Sequence, residues 1–341
     1  MLLPPRILRR IVLAPLIVLV TVAMLVTLPL WLVVAAVASM GLPPPQRRAP
    51  RFVWFAVAWL TLESLVLIAC LWLWVAGGAR RQERHYALVG WFLSRLYGAA
   101  ERIFRLTVDV ESPPCAENAP PRPLIVLSRH AGPGDSFLLI HRLLAAHGRR
   151  PRIVMKAALQ YDPTLDVMVN RLPNAFVPRR SGRRRIVEEI RRLSGTMGDR
   201  DALVIFPEGA NFSPRRRQVA IRRLEAKGLT EEAARARRME HVLPPRPNGA
   251  LAAIASCPGA DVVFVAHTGL DDLVTLGDVW RRLPYTVRIS ATWWRVPAAE
   301  VPRGREEAVR WLYDNWERAD AWITARRELP VEGTGPPAGR R

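Results

Sequence analysis

A chain of 341 residues has room for one large domain with an appendage, or for two domains, and half of its residues are hydrophobic. The formal charge of +20 is almost all arginine, since Lys156 and Lys227 are the only lysines. With no recognition module interleaved among the basic residues, that charge argues against a nucleic-acid partner and for an anionic lipid surface, with a genomic bias towards arginine contributing. The cysteines, Cys70, Cys115 and Cys257, are odd in number and widely spaced, so no disulfide framework or zinc site follows from them and isolated thiols are the preferred reading.

In chain order, residues 11–40 carry no formal charge, and that length exceeds the roughly 20 residues a helix needs to cross a bilayer. Pro15 and Pro29 are placed to kink this span, and Pro29 to break it or make it re-entrant. A second span covers about 52–76, with Glu63 near its middle, where an ionisable group usually faces protein. The Pro-rich link 41–51 joins the two, so residues 1–79 read as a transmembrane helical hairpin. The first span is too long for a cleaved signal peptide and lacks a cleavage pattern. Arg6, Arg9 and Arg10 before it and Arg80, Arg81 and Arg84 after the second favour both ends on the cytoplasmic side, although Arg47, Arg48 and Arg51 in the link oppose this. Residues 80–106 mix Trp, Tyr, Leu and Arg. That pattern fits a helix lying in the membrane interface, and equally an amphipathic linker packed on the next domain.

From residue 107 to 329 short β-branched runs alternate with helical stretches. Strands are expected at 106–110, 124–127, 152–155, 175–177, 203–206, 262–266 and 285–291. Helices are expected at 136–146, 183–193, 218–227, 248–255 and 305–324. The alternation predicts an α/β domain, a mainly parallel sheet flanked by helices, with ligands gathered beyond the carboxyl ends of the strands. Residues 330–341, rich in Pro, Gly and Arg, read as a disordered tail.

Two loops that follow strands carry the chemistry. Ser128-Arg129-His130-Ala131-Gly132-Pro133-Gly134-Asp135 sets an imidazole and a carboxylate around a Gly-Pro-Gly turn. On a continuous helix the two would point about 140° apart, so a turn must bring them together. So joined, Asp135 would orient His130 as a general base. The pair alone fits equally a loop histidine followed by a helix-capping aspartate. No Ser or Cys nucleophile stands beside it, which favours direct attack by a substrate hydroxyl. The second loop, Phe206-Pro207-Glu208-Gly209, is on its own an ordinary strand ending. Arg179 and Arg180, after Phe176-Val177-Pro178, could bind phosphate through paired donors, or form a solvated basic loop with Arg183, Arg184 and Arg185. Lys156 stands out only because lysine is so rare here.

His130-x4-Asp135, then Phe176-Val-Pro-Arg179, then Phe206-Pro-Glu-Gly209, all downstream of apolar spans, resembles the 1-acylglycerol-3-phosphate acyltransferase family of glycerolipid acyltransferases. The resemblance runs from about residue 88 to 325. Phe206–Ser213, Glu225–Leu229, His241–Gly249, Lys156–Pro163 and Val287–Arg295 look like its lysophosphatidate and lysocardiolipin branch. It implies an acyltransferase in which His130 deprotonates the free hydroxyl of a lysophospholipid and Asp135 orients it. Glu208 and Gly209 would help bind the glycerol phosphate, Arg179 would hold the phosphate, and Lys156 and Arg180 would line the same pocket. The implied partners are a lysophospholipid acceptor, most simply 1-acylglycerol-3-phosphate, an acyl-CoA or acyl-carrier-protein donor, and the bilayer. No metal and no cofactor is implied. The implied location is the bacterial inner membrane, with the catalytic domain cytoplasmic.

The chain departs from the family pattern at Arg129, where Asn is usual, and at Ala210 and Asn211, where Thr and Arg are usual. Val263–Ala266 lacks the fourth block's proline, as in the lysocardiolipin-type branch. The missing arginine puts the acceptor headgroup in question, with Arg180 or the Arg215–Arg217 cluster as substitutes.

Overall fold

The computed structural model describes residues 3–43, 47–78, 81–111, 121–178, 182–271, 276–282 and 288–328. Its strands are β1 (Thr107–Glu111), β2 (Leu124–Ser128), β3 (Arg150–Lys156), β4 (Ala175–Val177), β5 (Asp201–Ile205), β6 (Asp261–Thr268) and β7 (Arg288–Val296). Its helices are α1 (Arg6–Val26), α2 (Leu28–Val37), α3 (Arg48–Val75), α4 (Gln82–Phe104), α5 (Pro133–Ala145), α6 (Pro163–Met168), α7 (Arg183–Ser194), α8 (Pro214–Glu225), α9 (Thr230–Arg238), α10 (Pro247–Ser256), α11 (Leu276–Arg282) and α12 (Arg305–Glu328). The strands form one seven-stranded sheet in the order β1-β7-β6-β2-β5-β3-β4. Every pairing is parallel except β6 with β7. The α/β class and the mainly parallel sheet follow the expectation from sequence.

Alternation along the central strands divides the core into two layers. Ile125 and Leu127 of β2, Leu203 and Ile205 of β5, and Val262, Phe264 and Ala266 of β6 face Ile190, Leu193, Ala250, Ala253, Leu312 and Trp316 of α7, α10 and α12. Leu124, Val126, Ala202, Val204 and Val263 face α5 through Leu139 and Leu143. Strands covered on both faces read as unbroken apolar runs, which is why β2 and β5 are conspicuous in the sequence.

The N-terminal apolar segment is two helices, not one. Thr27 leaves helical geometry between α1 and α2, because Pro29 has no N–H to donate and its ring crowds the preceding turn. Pro15, by contrast, is absorbed within α1. Helix α1 and helix α3 are each long and apolar enough to cross a membrane, with mean hydropathies of 2.2 and 2.0 over their most apolar stretches. They pair as a hairpin: Thr21 Oγ1 lies 2.8 Å from Ser64 Oγ and donates to Leu60 O at 3.1 Å.

Helix α3 lies lengthwise on the sheet domain. Near its start Phe55 meets Phe104 at the end of α4 with ring centroids 4.4 Å apart, and Trp59 meets Phe137 of α5 at 6.1 Å. Further along, Val66 and Cys70 pack with Tyr86, Val89, Met168 and Val169. Helix α4 is thus wedged between α3 and α5. Glu63, buried in α3, accepts from Trp59 Nε1 at 2.8 Å and shares a hydrogen bond with the Asp162 carboxyl. The outward faces of α1 and α2 and one side of α3 expose a broad apolar surface, including Leu19, Val26, Trp31, Leu65, Ile68 and Trp72, far beyond the patches that isolated soluble proteins carry.

A buried ion cluster fastens α1 to the domain. Asp166 of α6 accepts from Arg9 Nη2 at 2.9 Å and from Arg10 Nε at 3.2 Å, and Asn170 Nδ2 also donates to it at 2.9 Å. Removing one partner of a buried pair leaves the other charge uncompensated. Asp166→Ala is therefore expected to destabilise the hairpin's docking by about 3 kcal/mol, read as a lower melting temperature and faster proteolytic cleavage within α1. Asp166→Asn, which can still accept a hydrogen bond, should lose less.

Candidate active site

The carboxyl ends of the parallel strands share one edge of the sheet. Along it lie the loop after β2 with His130, the loop after β5 with Glu208, and Lys156 at the end of β3. Arg179 and Arg180 follow β4 in sequence but fall outside the described residues, as does the 330–341 segment.

His130 and Asp135 are brought together by the start of α5. Gly132 is extended at its N-cap and Pro133 opens the first turn, where a missing N–H costs nothing and φ is pre-set for the helix. Asp135 sits in that turn, where it both caps the helix and contacts the imidazole. Its carboxylate accepts from the backbone N–H of Ala131 at 2.7 Å and Gly132 at 3.1 Å, satisfying donors the helix cannot. The same carboxylate faces His130 Nδ1 at 3.0 and 3.1 Å. A carboxylate there holds the proton on Nδ1 and leaves the Nε2 lone pair free to take one. Burial would raise the Asp135 carboxyl, but the hydrogen bond from His130, the neighbouring imidazoles and the Gly132 N–H together hold it below the usual carboxylate range. His130 itself is partly open to solvent and lies against the Phe206 ring, centroids 4.4 Å apart.

Glu208 is buried rather than presented to the surface. Its Oε1 accepts from the His130 backbone N–H at 3.4 Å and the carboxyl also accepts from the Leu243 N–H, so it ties three loops together. Its Oε2 has no partner among the described residues. Burial pushes the Glu208 carboxyl up to about 8, against the pull of Arg129 and the two amides. At neutral pH it is therefore largely protonated, and a neutral carboxyl does not repel an anionic ligand. Between its unfolded pKa near 4.5 and about 8 the folded state holds a proton that the unfolded state has lost. Its stabilising contribution is full below that window and disappears as pH rises through it. Glu208→Gln is expected to flatten the fall in stability between pH 4.5 and 8, checked by denaturant melts of both proteins across that range.

Arg129 explains its own departure from pattern. It is fully buried and points away from solvent into a structural network. Its guanidinium donates to His241 O at 2.7 and 3.0 Å and to His267 O at 2.9 Å, and it pairs with Asp271. Arg327 of α12 reaches the same Asp271 at 3.1 Å. Arg129 thus holds the two neighbouring loops together and does not replace a polar group facing the ligand.

His267 was not anticipated from sequence. It is buried at the end of β6, with Nε2 3.0 Å from Arg129 O and 3.8 Å from Asp135 Oδ2. Burial lowers its pKa, so it stays neutral and donates to that carbonyl. The available signal was a lone imidazole closing an apolar strand.

Of the arginines proposed to replace the missing one, Arg216 donates to Asn211 O at 2.9 Å, and Arg217 donates to Met239 O at 2.5 Å and Arg237 O at 2.7 Å. Both are committed to the backbone. Another arginine lies directly against the loop. Gly209 has φ +67°, and a Cβ there would stand 2.7 Å from Arg246 Nη1 and 2.9 Å from its Cζ. A Cβ would push that flexible guanidinium aside, and at this positive φ glycine is the residue that takes the backbone geometry without strain. Lys156 is exposed and has no partner among the described residues.

A mainly parallel α/β sheet with a His–carboxylate pair at its carboxyl edge has the parts for general-base chemistry without a side-chain nucleophile in the pair. Residues 115–268 match the family model described as Acyltransferase. That stretch is an acyltransferase domain, and in it the chain is similar to the 1-acylglycerol-3-phosphate acyltransferases. Its fold is similar to that of the crystal structure of the 1-acyl-sn-glycerophosphate (LPA) acyltransferase PlsC from Thermotoga maritima. That match has a TM-score of 0.52 and 15% identity, and covers 83% of this chain and 100% of that one. No curated protein matches the chain by sequence.

Proposed function

We propose that the protein is a membrane-associated O-acyltransferase that esterifies the free hydroxyl of a lysophospholipid, 1-acylglycerol-3-phosphate being the favoured acceptor, with acyl-CoA or acyl-carrier protein as donor. The observation that carries this reading is the His130 Nδ1–Asp135 contact at 3.0 Å on the carboxyl edge of the acyltransferase domain. His130 Nε2 takes the proton of the acceptor hydroxyl as its oxygen attacks the thioester carbonyl. Asp135 stabilises the imidazolium that forms. The C–O bond forms, the C–S bond breaks, and the proton passes from His130 to the departing thiolate.

Arg179, Arg180 and Lys156 are proposed to add to the positive charge that draws in the acceptor's phosphate. Gly209 lets the Arg246 guanidinium lie against the loop, and protonated Glu208 holds the His130 loop without adding a negative charge. The apolar outer faces of α1, α2 and α3 would sit in the cytoplasmic leaflet of the inner membrane, or span it, and arginines beside them would meet anionic headgroups. The Thermotoga maritima protein's acceptor, as its name states it, supports the choice of lysophosphatidate.

The test is transfer by purified protein in nanodiscs from labelled acyl-CoA and from acyl-carrier protein to a panel of lysophospholipids. New diacyl product with lysophosphatidate is expected. No ester product with any donor and acceptor would overturn the reading.

A further inference from the structure

Arg246 occupies an unusual position. It precedes α10, its backbone N–H donates to Pro207 O at 2.9 Å, and its guanidinium lies over Gly209, in the loop whose Glu208 holds the His130 backbone. The charges that act on it are those of Arg183, opening α7, and Arg223 of α8. Among the described residues no carboxylate pairs with any of the three. Elsewhere the chain pairs its arginines readily: Arg152 with Asp201, Arg235 with Glu317 and Asp314, Arg295 with Asp261. Arg246 thus holds an exposed guanidinium over Gly209, unpaired with any carboxylate among the described residues, and the like charges of Arg183 and Arg223 act on it. An anion seated against Arg246 would offset that like-charge repulsion. Partial burial and the two like charges already disfavour the charged form of Arg246, so an incoming anion recovers that penalty as well as its own pairing energy.

We propose that Arg246, supported by Arg183 and Arg223, is the seat of the acceptor's phosphate, and that this cluster selects a phosphate monoester over a phosphodiester headgroup. The inference rests on the reading of the protein as a lysophospholipid acyltransferase. Its chemical basis is charge and valence. A monoester presents nearly two negative charges and three terminal oxygens, enough for paired donors from more than one guanidinium, whereas a diester presents one charge and two such oxygens.

Two measurements separate this inference from the reading beneath it. The first compares wild type, Arg246→Gln and Arg246→Lys in acyl transfer to lysophosphatidate and to lysophosphatidylglycerol. Arg246→Gln is expected to raise KM for lysophosphatidate by about tenfold, the worth of a charged phosphate contact, with KM for the acyl donor and for lysophosphatidylglycerol nearly unchanged. Arg246→Lys, with charge but no fork, should fall between. The second needs no turnover: glycerol 3-phosphate titrated into the same proteins by calorimetry, with wild type binding more tightly than Arg246→Gln. Unchanged KM for lysophosphatidate together with unchanged glycerol 3-phosphate binding overturns this inference and leaves the acyltransferase reading intact. Binding lost in Arg246→Gln, with no acyl transfer by wild type, overturns that reading and keeps the anion site. Should Arg246→Gln fail to fold, Arg183→Gln carries the same comparison, with an expected rise in KM of about threefold.

Discussion

Replacing His130 by alanine is expected to lower acyl transfer by roughly 1,000-fold, the usual worth of a positioned general base. KM for both substrates should change little, because the imidazole acts on the hydroxyl as the new bond forms and contributes little to holding either substrate at rest. The fold should survive. Asp135 loses one contact but keeps the amides of Ala131 and Gly132 and the Ser136 hydroxyl, at 2.7 to 3.1 Å. A net loss of about 1 kcal/mol or less in stability is expected from one hydrogen bond. Asp135→Asn is a different perturbation. It can still cap α5 through its amide oxygen, but it removes the charge that steadies the imidazolium and no longer fixes the proton on Nδ1. A drop comparable to that of His130→Ala, with a near-native melting temperature, is expected. Initial rates over a matrix of donor and acceptor concentrations, with melts on the same samples, check both variants. Full transfer by His130→Ala would remove the base from the mechanism.

What the sequence made legible, and what it did not, follows from the range of the interactions. Strands β2 and β5 are central and covered on both faces, so their apolar runs announce them, and the residues after them fall on the ligand-bearing edge by topology alone. Helix α9, Thr230–Arg238, carries almost no apolar stripe and escaped notice; it is held by Ala233 and Ala236 packed inward and by Arg235 bound to Glu317 and Asp314 of α12. The last strand was expected at 285–291 and lies at 288–296, because Trp293 and Trp294 belong to its antiparallel pairing with β6.

Hydropathy revealed the length of α1 and α3 but not their neighbours. It could not show α3 lying along α4, nor the arginines before the first apolar run meeting Asp166 more than 150 positions away in the chain. At the site, His130 and Asp135 were legible because they are local to one turn. His267, Asp271 and Arg246 reach that edge from distant blocks, and a single sequence gives no measure of such proximity. Arg129 is the sharpest case. Beside the histidine it reads as a change in the ligand site, yet it is fully buried and its partners lie 112 to 142 residues further on.

That network makes Arg129→Met the substitution with the largest expected cost in stability, roughly 3 to 5 kcal/mol. Methionine approximates the shape of the stem, but it takes the guanidinium donors from the carbonyls of His241 and His267 and leaves Asp271 with Arg327 as its charge partner beside the Thr268 hydroxyl and the Gly269 N–H. Burial alone would raise the Asp271 carboxyl; the charge and hydrogen bonds of Arg129, then the charge of Arg327, hold it far below the usual carboxylate range. The sign of the pH effect follows. A carboxyl whose folded pKa is depressed stabilises the fold above its unfolded pKa, and the contribution is lost as pH falls from there towards the folded value. Wild type should therefore lose stability steeply on acidification below about pH 4, where an unfolded aspartate takes up its proton. Arg129→Met, starting lower, should lose less over the same range. Asp271→Asn in the wild-type background removes the same acid-sensitive contribution. In the double variant the two losses should overlap, because each single change already breaks the shared ion pair. Denaturant melts of the four proteins at pH 7 and pH 4 measure the overlap directly. Strictly additive losses would mean that Arg129 stabilises the fold through the two carbonyls alone, and that Asp271 is held in place by Arg327.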